Sequence, residues 1–173
     1  MSFTLHPRLE KGSFELGRLN GCRILLKDNT LFPWLLVVPE VAEGIEDLHQ
    51  LDAETHQKVT EAILMVSNFV SAHFSPDKLN VACIGNMVRQ MHIHVVGRSE
   101  GDPAWPGVVW SHDGKEPYSE DTVATIHSAW DAFNPSCDVT LSPNTEPGRY
   151  VAVPGFLHHG SQPHSGTLGQ GHP

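Results

Sequence analysis

A chain of 173 residues, 39% hydrophobic and 18% charged, has the size and composition of one globular domain with its own core and a short appended segment. Its 11 Lys and Arg against 20 Asp and Glu leave a net charge of −9, which excludes extended nucleic-acid binding by many phosphate contacts but leaves room for one local phosphate site. Met1 to Glu10 is polar and broken by Pro7, unlike a signal peptide, and no apolar run approaches the ~20 residues that span a bilayer, so the expected compartment is the cytoplasm, with no membrane partner.

Residues 1–21 hold Pro7, Gly12, Gly17 and Gly21 among irregularly spaced apolar residues and read as a short helical turn or coil. Cys22 to Lys27 and Trp34 to Val38 are short, partly β-branched apolar runs with Asp28-Asn29-Thr30 between them and Pro33 and Pro39 around the second. They read as adjacent strands, with Asp28 and Asn29 equally at home as plain turn formers. Gly44 to Gln50 reads as a single helical turn. A long helix follows: Asp52 is a good N-cap, Val59, Ile63, Val66, Val70 and Phe74 recur at helical spacing, and Pro76 stops it. Leu64, Met65 and Phe69 widen its apolar arc, which marks a deeply covered helix or a subunit contact. His56 and His73 on this helix are expected at its exposed edge rather than as ligands.

Leu79 to Ile84 reads as a third strand and Gln90 to Val96 as a fourth, joined by Gly85 to Arg89 as a hairpin. Ser99 to Trp110 is loop-like, and the prolines and glycine of Asp102-Pro103-Ala104-Trp105-Pro106-Gly107 predict a rigid loop that lays the Trp105 ring against a neighbouring surface. Ser119 to Phe133 reads as a second helix with Ser119 as N-cap and Val123, Ile126, Trp130 and Phe133 on one face. Beyond it the composition shifts to Pro, Gly, Ser and His, with strand-like patches at Asp138 to Leu141 and Arg149 to Val153. Residues 1–133 are therefore expected to form the domain and residues 134–173 an extension, partly or wholly disordered. Its His158, His159, His164 and His172 are not expected to form a metal site, because a flexible tail preorganises none. Cys22, Cys83 and Cys137 are widely spaced and odd in number, and read as ordinary thiols.

The stretch with chemistry in it is Gln90-Met91-His92-Ile93-His94-Val95-Val96-Gly97-Arg98. Alternation with period two puts Gln90, His92 and His94 on one face of a strand and Met91, Ile93 and Val95 on the other. Two imidazoles and an amide in a row admit three readings. They are metal ligands awaiting a third from elsewhere, since His-x-His on a strand places both rings on one side. They are inert. Or one imidazole attacks phosphorus while the other hydrogen-bonds a phosphate oxygen or protonates a leaving group, its ordinary pKa of ~6.5 lying near working pH. Arg89 and Arg98 at the two ends of the strand, with Asn86 and the Gly85 backbone before it, offer donors for a phosphate.

These residues resemble the histidine triad (HIT) motif, His-φ-His-φ-His-φ-φ with φ apolar, here in a Gln-φ-His-φ-His-φ-φ variant. Three further segments, Phe32 to Pro39, Asn80 to Val88 and Asp102 to Gly107, are similar in the same order to bacterial HIT-domain proteins. The resemblance implies an α+β fold, a HIT-like twisted antiparallel sheet of about five strands with a long helix packed on it and a second helix C-terminal, usually as a homodimer. It implies a nucleotide-binding hydrolase that cleaves a nucleoside phosphate derivative, a dinucleoside polyphosphate or a nucleoside phosphoramidate, at the α-phosphorus. His92 matches the family's nucleophile, forming a nucleotidyl-histidine, and His94 its phosphate and leaving-group partner. The carbonyl of Gln90 would orient His92. Asn86, Arg89, Asp28 or Asn29, and Trp105 are the implied substrate contacts. No cofactor or metal is expected at the nucleophile, with Mg²⁺ only as companion of a polyphosphate substrate.

Two departures bear on activity. Gln90 replaces the first motif histidine, and its amide hydrogen-bonds but carries no proton at neutral pH. Leu35 stands where many members have a further histidine, two residues after the proline that opens the second strand. The alternatives are therefore a nucleotidyltransferase, or a nucleotide-binding or scaffold protein with little turnover.

Overall fold

In the computed structural model, which describes residues 3–133, the turn Asn20-Gly21 has positive φ at both positions, 49° and 72°, the twist that suits a two-residue hairpin. It joins β1, Ser13–Leu19, to β2, Cys22–Lys27. β1 is a correction to the expected turn or coil. The register shifts between Glu15 and Gly17, so the inward Leu16 and Leu19 lie three apart and period-two alternation is lost. Gly17, at φ 146°, supplies the backbone freedom this bulge needs. Only the preceding Pro7–Lys11 is helical (α1).

β3, Trp34–Pro39, follows β2; β4 is Lys78–Cys83 and β5 is Ile93–Arg98. The strands form one antiparallel sheet in the order β1-β2-β3-β5-β4, which is the expected five-stranded α+β architecture with β5 between two partners. The fourth strand was expected from Gln90 to Val96. Its ladder instead runs from Ile93 through Gly97 and Arg98, and residues 90–92 precede it.

α2, Ala53–Phe74, begins where Asp52 accepts from the Thr55 N–H at 2.9 Å and ends at Ser75 in the left-handed region, just before Pro76. Leu64 stays half-exposed, whereas Phe69 is buried. His56 and His73 are exposed. α3, Glu120–Phe133, buries Ile126 and Trp130. Helices and sheet share one core: Ile24, Leu26, Leu35, Val37, Ile93 and Val95 point to α2 and α3. Their strand neighbours Leu25, Trp34, Leu36, Val38 and Val96 point the other way, to a second core closed by Leu5, Leu9, Phe32, Val88 and Val109. The candidate site lies on this second face.

Burial lifts the Cys22 thiol to about 12 and raises that of Cys83 too, so both behave as packed thiols. No helix among the described residues is long and apolar enough to cross a membrane. Cys137, the strand-like patches after Asp138, the expected disorder of the extension and the tail histidines lie outside the described residues.

Candidate active site

His92 is 6% exposed, and its Nδ1 lies 2.8 Å from the carbonyl oxygen of Gln90. A carbonyl only accepts, so Nδ1 carries the proton and Nε2 presents a lone pair. That bond also explains why the strand starts late: the Gln90 carbonyl turns to a side chain instead of to a neighbouring strand. Burial holds the His92 imidazole below its ordinary pKa, against the opposing pull of the Gln90 carbonyl, and Lys27 and His6 nearby add to the depression.

His94, 8% exposed, stands beside it with ring centroids 4.8 Å apart. The indole Nε1 of Trp34 donates to His94 Nδ1 at 2.9 Å. Indole only donates, so this Nδ1 is the bare nitrogen and the proton sits on Nε2. Burial, then His92 and Lys27, push the His94 pKa down to about 3. This corrects the expectation that His94 titrates near working pH. It is a neutral ring with a donor turned to the cleft.

The two imidazoles line a cleft of about 580 Å³ with Asn86, Gly85, Asn29, Lys27, Trp34 and Trp110 among its walls, a size within the ~300–1,000 Å³ of small-molecule sites. Arg8, Lys27 and Lys115 line it against the single carboxylate of Asp113, a cationic concentration in a chain of net charge −9. The Lys27 ammonium stands over the Trp34 ring at 5.1 Å, and burial lowers its pKa. The Trp110 indole N–H is buried without a partner among the described residues, its ring 5.5 Å from that of His94.

The other expected contacts divide. Asn86 is exposed in the cleft wall, and Asn29 is buried at its edge, its Oδ1 accepting from the Leu31 and Glu116 N–H groups. Asp28 is not in the wall. It accepts from the Tyr118 N–H at 2.9 Å and pairs with Lys115 at 3.4 Å, fastening the segment before α3. Arg89 points away, paired with Glu46 at 2.8 Å in a separate cleft of about 460 Å³ that holds neither motif histidine. Trp105 also misses the site; its ring lies 5.7 Å from the Arg98 guanidinium. Arg98 is no phosphate donor either, since Asp102, Asn80 and the Gly107 carbonyl occupy it.

Gln90 turns its side chain out of the cleft. Its Oε1 accepts from the His6 N–H at 2.8 Å and its Nε2 donates to the Thr4 carbonyl at 2.9 Å, tying down the N-terminal segment. Leu35 is fully buried in the helix-side core, so a histidine there would not reach the cleft. The β3 residues in the cleft wall are Trp34 and Leu36. Sequence reasoning missed Lys27 and Trp34 as site residues, although strand parity marks both: each lies one step from a core-facing neighbour, Leu26 or Leu35.

Among the described residues no group of three or more His, Cys, Asp or Glu side chains is placed to hold a metal ion. No protein of curated function matches the chain. Residues 8–101 match the HIT domain family. Among solved structures, the chain is similar to a histidine triad protein from Marinobacter aquaeolei VT8, with 36% identity over 77% of this chain and 96% of that one at a TM-score of 0.73. A histidine triad protein from Sinorhizobium meliloti 1021 gives 34% identity, coverage of 74% and 94%, and a TM-score of 0.72. One from Bradyrhizobium japonicum gives 30%, 76% and 98%, and 0.73. With the motif strand, the sheet order and these matches in agreement, the chain belongs to the histidine triad family.

Proposed function

We propose that the cleft binds a nucleoside phosphate derivative and that the protein hydrolyses it at the α-phosphorus through a nucleotidyl intermediate on His92. The observation that carries this reading is the 2.8 Å contact of His92 Nδ1 with the Gln90 carbonyl, which leaves Nε2 as a lone pair at the cleft and an acceptor behind the ring for the charge that attack creates. Family membership supports nucleotide binding. Lys27, the Nε2–H of His94 and Asn86 are the groups available to a phosphate, and Asn29, in the cleft wall, is the candidate for a ribose contact. The substitution at Gln90 spares the mechanism, because its contribution to His92 is a backbone carbonyl.

A homodimer accords with the family resemblance. β4 is an end strand of the sheet, and Val81 on it, with Ile84 and Met87 just beyond, is exposed, so a second copy pairing there would cover an apolar edge.

Incubation with a dinucleoside polyphosphate should release mononucleotide, and acid quenching should trap a nucleotidyl adduct on the peptide that contains His92. His92→Ala should stop turnover while leaving binding within about tenfold. Turnover that survives this substitution overturns the mechanism, and binding without turnover in the natural protein would favour a binding or scaffold role.

A further inference from the structure

The two neighbouring imidazoles are held in opposite tautomers by partners that act in one sense only: a carbonyl behind His92 and an indole N–H behind His94. We infer that Trp34 is a positioning residue that locks His94 as an Nε2–H donor and removes it from proton exchange, so that the site favours leaving groups that depart as anions. Phosphoric anhydrides are then cleaved in preference to phosphoramidates. The inference rests on the hydrolase reading above and adds a leaving-group preference to it.

The chemistry follows from proton balance. In an anhydride, Nε2 of His92 bonds to the α-phosphorus as the bridging P–O bond breaks, and the electron pair leaves on the departing phosphate without any proton. Water then bonds to phosphorus as the N–P bond breaks; the pair returns to Nε2 and the proton of water passes to solvent. A phosphoramidate differs in the first step, because its nitrogen must gain a proton before the P–N bond gives way. His94 does not deliver it. Losing the Nε2 proton would leave an imidazolate, and Nδ1 cannot be protonated while the Trp34 N–H points at it from 2.9 Å. The charged and titratable groups that line the cleft with His94 are Arg8, Lys27, His92, His112, Asp113 and Lys115, with the Trp34 and Trp110 rings against His94 itself. The charges that act on the His94 ring itself are those of His92 and Lys27, and both disfavour its protonation.

The test uses the whole protein labelled with ¹⁵N-histidine, and a diadenosine polyphosphate and adenosine 5′-phosphoramidate as probes. Between about pH 5 and 8, His94 should keep a bare Nδ1 and a protonated Nε2, and the anhydride should be cleaved faster. In Trp34→Phe the ring should titrate closer to the ordinary ~6.5, and the anhydride-to-phosphoramidate rate ratio should fall about tenfold or more. A protonated Nδ1 in the natural protein at neutral pH overturns the lock. If both probes are cleaved equally and His92→Ala stops both, the hydrolase reading stands and the leaving-group preference falls. If neither is cleaved, both readings of turnover fall, while the spectrum still decides the lock. Should Trp34→Phe not fold, the spectrum and rate ratio of the natural protein decide.

Discussion

Arg98 and the His92–His94 pair are polar groups buried along the same stretch of chain, and they differ in what is left unspent. The Arg98 guanidinium gives Nε and Nη2 to Asp102 at 2.7 and 2.9 Å, and Nη1 to Asn80 and the Gly107 carbonyl at 3.0 and 2.9 Å. Asp102 in turn accepts from the Ser99 and Ala104 N–H groups, so the loop closes on itself. Each imidazole has one nitrogen committed, and its Nε2 makes no hydrogen bond among the described residues. A buried polar group whose bonds are all spent inside the protein holds structure together. One with an atom left over at a cleft is available to a ligand.

The sharpest way to break this comparison is to cut each side. Arg98→Ala leaves the partly buried Asp102 without its cation and should cost about 3 kcal/mol in urea unfolding. His92→Ala loses one hydrogen bond and should cost about 1 kcal/mol while abolishing turnover. Equal costs would mean that the histidines are as structural as the clasp.

Acid should separate the two regions next. His94 binds a proton near pH 6.5 when unfolded but only at about 3 when folded, so the unfolded state holds more protons between these values. Stability is then full above about 6.5 and falls as pH drops toward 3, with a slope approaching about 1.4 kcal/mol per pH unit, the limit for one proton. His94→Asn should flatten that slope. The Asp102 carboxyl is held low first by its hydrogen bonds from Arg98, with the Ser99 and Ala104 N–H groups adding. Its contribution is present above the unfolded value of about 3.9 and is lost as pH falls through the lower folded value, so Asp102→Asn should alter stability most above about pH 4. Unfolding midpoints between pH 7 and 3 check both.

Much of this contrast was legible in the sequence. Short apolar, partly β-branched runs marked β2 and β3, and the period-two His-φ-His run marked the strand that carries the cleft histidines. β1 was hidden because its bulge sets Leu16 and Leu19 three apart, although Asn20-Gly21 signalled a hairpin. Counting from Pro33 put the site's β3 position at Leu35, whereas the alternation of that strand puts Trp34 on the cleft side. Arg89 and Arg98 looked alike as flanking cations. What distinguishes them is partners distant in sequence or brought near by a turn, Glu46 for one and Asp102 and Asn80 for the other, and no local pattern encodes those.

Lys27 tests whether the cleft's charge belongs to the ligand. It has no carboxylate within ion-pair reach among the described residues, and its ammonium rests over Trp34. Lys27→Met should weaken mononucleotide binding about tenfold, as loss of a charged hydrogen bond does, and should reduce the salt dependence of binding. An unchanged affinity by titration calorimetry would assign the lysine to packing against Trp34.

Gln90 carries both halves of the comparison in one residue, and its substitutions should give the smallest effects on turnover. Its carbonyl serves His92, while its amide is spent on Thr4 and His6. Gln90→Ala retains the carbonyl and loses the two side-chain bonds, so kcat should change by no more than about threefold, while stability falls by about 1–2 kcal/mol. Hydrogen exchange at the His6 amide should accelerate, because that N–H loses its acceptor. A large loss of kcat with unchanged exchange at His6 would mean that the amide acts on the reaction, and that the division between spent and unspent groups fails at the first residue of the motif.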